Sequence, residues 1–75
     1  MQDKHRMKYK QLGLNVAYYR KMNGFSQNQL AEKINVSRTH MSRIETADCA
    51  VSLDVLFEIC ESLQISPELL FTFRL

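Results

Sequence analysis

The chain has 75 residues, of which 45% are hydrophobic and 24% charged, a balance that is typical of one small globular domain and excludes a disordered chain. Its two glycines and one proline supply little turn chemistry for strands, and no apolar run approaches the ~20 residues that span a membrane. Residues 1–45 hold nine Lys and Arg against three Asp and Glu, whereas residues 46–75 hold one against five, and such a basic half suggests a polyanionic partner.

The chain begins with a basic segment, which we interpret as an N-terminal arm over residues 1–8 of a single domain spanning residues 1–75. No apolar signal core follows this segment, so we expect a cytoplasmic protein. The first helix comes next and ends near Gly24, because glycine often terminates helices. Four apolar residues recur along it at helical spacing and form one stripe: Tyr9, Leu12, Val16 and Tyr19.

The second helix is short and has a clear start. Ser26 is its N-cap, and Gln29 three residues later completes a capping box. Its inner face is predicted to consist of Leu30, Ala31 and Ile34.

The connection to the third helix has room for only about three residues, which forces the two helices to cross steeply, as in a helix-turn-helix. Asn35 tolerates the left-handed backbone that such a turn needs. Val36 is apolar and can fill the angle between the helices, and Ser37 can cap the third helix.

The third helix presents a polar face that suits DNA. At ~100° per residue, Met41 and Ile44 point towards the core. The opposite face then carries Arg38, Thr39, Ser42 and Arg43. A helix fits the major groove of B-DNA, where arginine reads guanine bidentately and a threonine methyl can meet a thymine methyl. A solvated helix face often carries arginine as well, but the tight turn and the basic half favour the DNA interpretation.

Two further helices are predicted after a loop. Ser52 can cap the fourth, and Ser66 followed by Pro67 can begin the fifth. The core stripe of the fourth helix is predicted to be Leu53, Leu56, Phe57, Cys60 and Leu63. Val55 and Ile59 form a second apolar edge outside that stripe, and residues 71–75 form an apolar C-terminal tail.

This surplus of apolar residues predicts a two-fold homodimer, because exposed apolar clusters usually mark an interface. The expected interface residues are Ile59, Leu69, Leu70, Phe71 and Phe73. The alternative is that the tail folds back onto the outer side of the first helix, against Leu14 and Tyr18. A dimer would place two recognition helices about 34 Å apart on a pseudo-palindrome.

Two segments cover most of the chain between Leu12 and Leu70: "GLNVAYYRKMNGFSQNQLAEKINVSRTHMSRIE" and "SLDVLFEICESLQISPELL". They contain Ser-Gln-x-x-Leu-Ala at the start of the second helix and Ile-Glu near the end of the third. In this order and spacing, the chain resembles the Cro and phage-repressor-like helix-turn-helix proteins, the XRE family. The resemblance implies an all-α, five-helix phage-repressor-like domain that binds double-stranded DNA, with the helix-turn-helix formed by helices two and three.

The resemblance also implies roles for single residues. The base-reading positions are matched by Arg38, Thr39 and Arg43, with Ser42 beside them. The candidate phosphate-binding residues are Gln27, Asn28, Ser37 and Arg20. Arg20 and Glu45 match a pair that joins helix one to helix three as a salt bridge.

We therefore expect a sequence-specific DNA-binding transcriptional regulator, with repression from a pseudo-palindromic operator as the favoured activity. The alternatives are a protein-interaction module on the same scaffold, such as an antitoxin-like subunit, and a restriction–modification controller protein. No enzyme is expected, because His40 and Ser42 lie two residues apart on one helix and do not face each other. Cys49 and Cys60 lack the spacing of a metal or redox site, so we expect reduced thiols and no metal, cofactor, small-molecule ligand or membrane partner.

Overall fold

The computed structural model describes residues 3–73, and every regular element in that range is helical. A short 3-10 turn, Asp3–His5, leads into α1 (Arg6–Met22). The remaining helices are α2 (Gln27–Lys33), α3 (Arg38–Thr46), α4 (Leu53–Leu63) and α5 (Pro67–Leu70). The expected all-α, five-helix fold is therefore confirmed. Within the described range, no helix combines the length and the apolar character that crossing a membrane requires.

The described residues of the predicted N-terminal arm are helical. Residues 3–5 form the 3-10 turn and α1 already begins at Arg6, which corrects the expected boundary at residue 8. Lys, Arg and Met are good helix formers, and neither glycine nor proline separates the basic segment from the apolar stripe of α1, so the helix extends through it. Met1 and Gln2, the first two residues of the predicted arm, lie outside the described residues.

Serine side chains cap α2 and α4 where the sequence predicts. Ser26 Oγ accepts the backbone N–H of Gln29 at 3.0 Å, and Gln29 Oε1 accepts the backbone N–H of Ser26 at 2.8 Å, which completes the capping box. Ser52 likewise caps α4 with its hydroxyl oxygen. At α5, Pro67 occupies the first turn, but Ser66 makes no side-chain cap.

The core receives one face of every α-helix. The buried residues of this core are Leu12, Val16, Leu30, Ala31, Ile34, Met41, Leu56, Ile59, Cys60, Leu63 and Leu70. Tyr9 and Tyr19 pack partly buried against it, so the apolar stripe predicted for α1 faces inwards as expected. The predicted inner faces of α2 and α3 are also confirmed by burial.

The predicted core stripe of α4 is wrong at one edge. Ile59 is 0% exposed, whereas Phe57 and Leu53 are 49% and 60% exposed. Both edges of α4 are apolar, so its rotation is decided by the helices that pack on it, which are α1, α2 and α5. Their packing buries Ile59 and leaves Phe57 in solvent. Ile59 is therefore a core residue and not part of the expected dimer interface.

The last helix returns the chain to α1. Leu70 is 0% exposed within the core, so it too is removed from the expected dimer interface. The physical reason is that α5 is a single turn anchored to α1. Asn15 Nδ2 donates to the carbonyl oxygens of Leu70, at 2.9 Å, and Thr72, at 3.1 Å.

The described part of the tail, residues 71–73, does not cover the outer side of α1. Leu14 and Tyr18, which were expected to receive the tail if it folded back, are 59% and 53% exposed. Phe71 is half exposed, and its ring centroid lies 6.2 Å from that of the half-buried Phe73. Arg74 and Leu75, the end of the predicted tail, lie outside the described residues.

Candidate nucleic-acid interface

The connection between α2 and α3 is a tight turn built by three consecutive residues. Asn35 adopts a left-handed backbone with φ 64°, as expected. Val36 is partly buried against the core, and its backbone N–H donates to the carbonyl oxygen of Ala31 at 3.0 Å. Ser37 Oγ then accepts the backbone N–H of His40 at 3.0 Å and begins α3. These interactions set the crossing of the two helices.

The outer face of α3 carries the predicted base-reading residues. Arg38, Thr39 and Arg43 are exposed, and Ser42 is half-buried at the flank. Met41 and Ile44, on the inner face, are 0% and 3% exposed, so the core side and the outer side of α3 are clearly separated. Within residues 3–73, the three exposed side chains form no hydrogen bond with other side chains or with the backbone, which leaves their polar groups available to a ligand.

Arg20 and Glu45 form a buried, bidentate ion pair between α1 and α3. Arg20 Nε lies 2.6 Å from Glu45 Oε2, and Arg20 Nη2 lies 3.0 Å from Glu45 Oε1. The two side chains are only 9% and 6% exposed. Arg20 Nη1 also donates to the carbonyl oxygen of Phe25 at 2.8 Å, so one guanidinium joins α1, α3 and the loop before α2.

The same burial removes Arg20 from the predicted phosphate contacts. All three of its nitrogens donate within the chain, and the residue as a whole is 7% exposed. A phosphate contact needs an N–H group that faces solvent. Arg20 is therefore a structural residue beneath the recognition helix, and the positive charge on the outer face comes from Arg38 and Arg43.

The other candidate phosphate ligands differ in how they are held. Gln27 Nε2 donates to Glu45 Oε1 at 2.9 Å, which orients the amide and leaves its second hydrogen for another acceptor. Ser37 is exposed, and its hydroxyl proton can be donated while its oxygen accepts the cap bond. Asn28 is exposed, but its amide donates to Glu32 Oε1 at 3.2 Å, so a carboxylate lies beside it. No sequence pattern near Gln27 predicts its hydrogen bond to Glu45, which lies 18 residues further along the chain.

Gly13 sets how closely α1 approaches the end of α3. A Cβ atom at this position would lie 2.5 Å from the carbonyl oxygen of Glu45 and 2.6 Å from that of Ile44. The backbone of α1 at Gly13 therefore packs directly against the backbone carbonyl groups at the end of α3. This close approach brings Arg20 within reach of Glu45. Sequence reasoning missed this contact, although a glycine inside a helical pattern is a signal for close packing.

The cysteines and acidic residues form no second site in this region. Cys49 is half-buried and Cys60 is buried, and both are free thiols. Burial raises the pKa of the Cys60 thiol, which disfavours its reactive thiolate form. Across residues 3–73, no three or more His, Cys, Asp and Glu side chains are grouped so that they could hold a metal ion.

Comparison with known proteins agrees with this geometry. The family model for Helix-turn-helix proteins matches residues 16–70, a range that includes the tight turn, the recognition helix and both partners of the ion pair. No curated protein sequence matches the chain significantly.

Several solved structures share the fold. The restriction-modification controller protein C.AhdI from Aeromonas hydrophila has a TM-score of 0.81 at 27% identity, over 84% of this chain and 96% of that one. The clp gene regulator ClgR from C. glutamicum has a TM-score of 0.78 at 27% identity, over 83% and 80% of the two chains. PlcR from Bacillus thuringiensis, solved with the peptide PapR7 and DNA, has a TM-score of 0.77 at 30% identity, over 88% of this chain and 23% of PlcR. The protein described here belongs to the XRE-type helix-turn-helix family of DNA-binding transcription regulators.

Proposed function

We propose that the protein is a repressor that binds a pseudo-palindromic operator as a homodimer and reads each half-site with α3. The observation that carries this proposal is the outer face of α3, where Arg38, Thr39 and Arg43 are exposed beside a tight turn. Bound over a promoter, such a dimer would exclude the transcription machinery, so repression is the simplest outcome of occupancy.

Side-chain chemistry determines which residues would contact bases and which would contact phosphates. Arg38 and Arg43 would donate bidentately to guanine, and the Thr39 methyl would contact thymine, with Ser42 at the edge of the face. Gln27 and Ser37 would donate to backbone phosphates on either side, and Asn28 would contribute less because Glu32 lies next to it. In this arrangement α3 supplies sequence preference, and the residues at the starts of α2 and α3 set the register.

Readout by the two arginines is tested by substitution. Arg38→Ala and Arg43→Ala should each weaken binding to the selected operator by roughly 1–3 kcal/mol and relax the preference at one base pair. Gln27→Ala should weaken binding to all duplexes more evenly. The operator is obtained by selection from random duplexes, and binding is then measured on that site and on its point-substituted versions.

Arg6→Ala is the matched control for these substitutions. It removes the same charge from an exposed position at the start of α1. That position lies about 21 Å along the helix from Arg20, the residue through which α1 contacts Glu45 of α3. We expect it to leave base preference unchanged. If both α3 arginine variants lost equal affinity for every sequence, the arginines would be phosphate ligands and the assigned readout would be wrong.

Because Ile59 and Leu70 are buried, the proposed homodimer interface consists of apolar residues that remain exposed. Leu53, Phe57, Leu69 and Phe71 are 60%, 49%, 37% and 48% exposed, although all four are large and apolar. Leu53 and Phe71 also line an apolar hollow of about 410 Å³, together with Phe73. Side chains of a second copy inserted there would remove this surface from water, which favours association. We assign the two-fold interface to these five residues.

Sedimentation of the free protein tests the interface. The wild-type chain should associate across micromolar concentrations, and Phe71→Asp or Phe57→Asp should raise the dimer dissociation constant at least tenfold, about 1.4 kcal/mol. Tyr18→Asp, which adds the same charge at an exposed aromatic residue of α1, is the control and should not change it. A wild-type chain that remains monomeric and binds one asymmetric half-site would contradict the dimer.

A second candidate function is that of a restriction–modification controller. The observation that favours it is the likeness to C.AhdI, which extends over 96% of that chain. A promoter-reporter assay with the selected operator separates the two functions. A simple repressor only lowers expression as its concentration rises, whereas a controller that activates its own promoter raises expression at low concentration.

A further inference from the structure

An apolar stripe, interrupted only by Gln11, runs along the outer side of α1, opposite its core face. It consists of Met7, Leu14, Tyr18 and Met22, which are 59%, 59%, 53% and 66% exposed. At ~100° per residue, these four lie within about 80° of one another around the helix, on the side opposite the buried Val16. Single exposed apolar residues are normal on a protein surface, but four of them along one face of a helix indicate an interaction site.

The dimensions of the stripe suit another helix. From Met7 to Met22 it extends for about 22 Å, the length of four helical turns. Gln11 lies within it, between Met7 and Leu14, and is the half-buried polar residue on an otherwise apolar face. Spacings of seven, four and four residues between the apolar side chains are those that an amphipathic helix presents to a partner helix. The methionines at the two ends can adjust to the shape of the partner.

The charges beside the stripe define the chemistry of the partner. Lys10 and Lys21 border one edge and Lys8 borders the other, all exposed. Residues 6–22 contain three Lys and two Arg but no Asp or Glu. Pairing of α1 with α1 of a second copy would bring lysines against lysines, which is unfavourable. Carboxylates flanking an apolar seam would instead complement both edges.

From this pattern we infer that the outer face of α1 is a docking site for an amphipathic helix of another protein, with an apolar seam flanked by Asp or Glu. Leu14 and Tyr18, at the centre of the site, lie away from α3, because α1 contacts α3 through its opposite side, at Gly13 and Arg20. A regulator bound to its operator can therefore hold this partner at the same time.

A designed peptide tests the site directly. The probe is a labelled 18-residue helical peptide with leucines at heptad spacing and glutamates at the flanking positions. Its matched control carries lysines in place of the glutamates. Fluorescence anisotropy with the full chain should show the glutamate peptide binding at least tenfold more tightly than the lysine peptide. Its affinity should fall as salt is added, because the flanking charges are exposed.

Substitutions locate the bound peptide. The double variant Leu14→Gln/Tyr18→Gln should weaken glutamate-peptide binding at least tenfold and leave operator binding unchanged. The double variant Lys33→Gln/Glu61→Gln changes two exposed side chains that lie outside both the stripe and the proposed dimer interface. It is the control and should bind the peptide like wild type. Circular dichroism melts verify that both variants are folded.

Four results would overturn the inference. They are no binding of the glutamate peptide, equal binding of the two peptides, unchanged peptide binding by the Leu14→Gln/Tyr18→Gln variant, and loss of self-association in that variant. The last would make the stripe a contact between copies of this chain. Vesicles of phosphatidylglycerol and phosphatidylcholine provide a further comparison, and vesicle binding that depends on Leu14 and Tyr18 in the absence of peptide binding would identify a membrane surface instead.

Discussion

Glu45→Gln is expected to lower the free energy of unfolding by about 3–5 kcal/mol, the loss typical of breaking a buried ion pair from one side. The amide would leave the buried guanidinium of Arg20 without a compensating charge. It would also set an N–H donor against an Arg20 N–H donor, at one of the two contacts of 2.6 and 3.0 Å. Arg20→Met should be similarly costly, because the Glu45 carboxylate would then keep only the hydrogen bond from Gln27.

Chemical denaturation of the variants measures these losses. Glu32→Gln is the matched control, because it makes the same change at an exposed residue of α2 and should shift stability by no more than about 0.5 kcal/mol. The double variant Arg20→Met/Glu45→Leu should lose less than the sum of the two single variants, because no unpaired charge stays buried. Losses near zero for both single variants would mean that the pair does not hold α1 and α3 together.

Gly13→Ala is expected to destabilise the protein by about 1–3 kcal/mol and to weaken operator binding as well. The new Cβ would fall 2.5 Å and 2.6 Å from two carbonyl oxygens at the end of α3. These are backbone atoms, so α1 and α3 must move apart. That movement stretches the contact between Arg20 and Glu45 and shifts the base-reading face. In an exposed helix interior the same substitution would stabilise by about 1 kcal/mol, so the sign of the effect is diagnostic.

Gly24→Ala is the control for this prediction. Nothing lies within 4 Å of the position that its Cβ would take, but its backbone is left-handed, with φ 76°. We expect a cost of about 1–2 kcal/mol in denaturation from backbone strain alone, without any change in operator affinity of the folded protein. A Gly13→Ala variant that is as stable as wild type and binds DNA normally would show that the helices can separate without consequence.

Local features of this protein were readable from the sequence because the interacting groups are close along the chain. Ser26, Ser37 and Ser52 each cap a helix by accepting an N–H three residues later. Asn35 supplies the left-handed turn residue between α2 and α3. Periodicity then separated the two sides of α3, so the candidate base-reading face also followed from the sequence.

Contacts between helices needed either a family resemblance or the tertiary structure. Arg20 and Glu45 are 25 residues apart, and their pairing was implied only by resemblance to known proteins. Their burial, which excludes Arg20 from phosphate, depends on how closely α1 approaches α3 at Gly13. The hydrogen bond from Gln27 to Glu45 likewise exists because three elements meet at one carboxylate.

The rotation of α4 shows where sequence reasoning reached its limit. A helical wheel identifies the buried side only when one side is apolar, and α4 has apolar residues on both edges. The sequence by itself determined that α4 is a helix capped by Ser52. Only the packing of α1, α2 and α5 decided that Ile59 enters the core and Phe57 stays exposed, because burial is set by which neighbouring surfaces cover each edge.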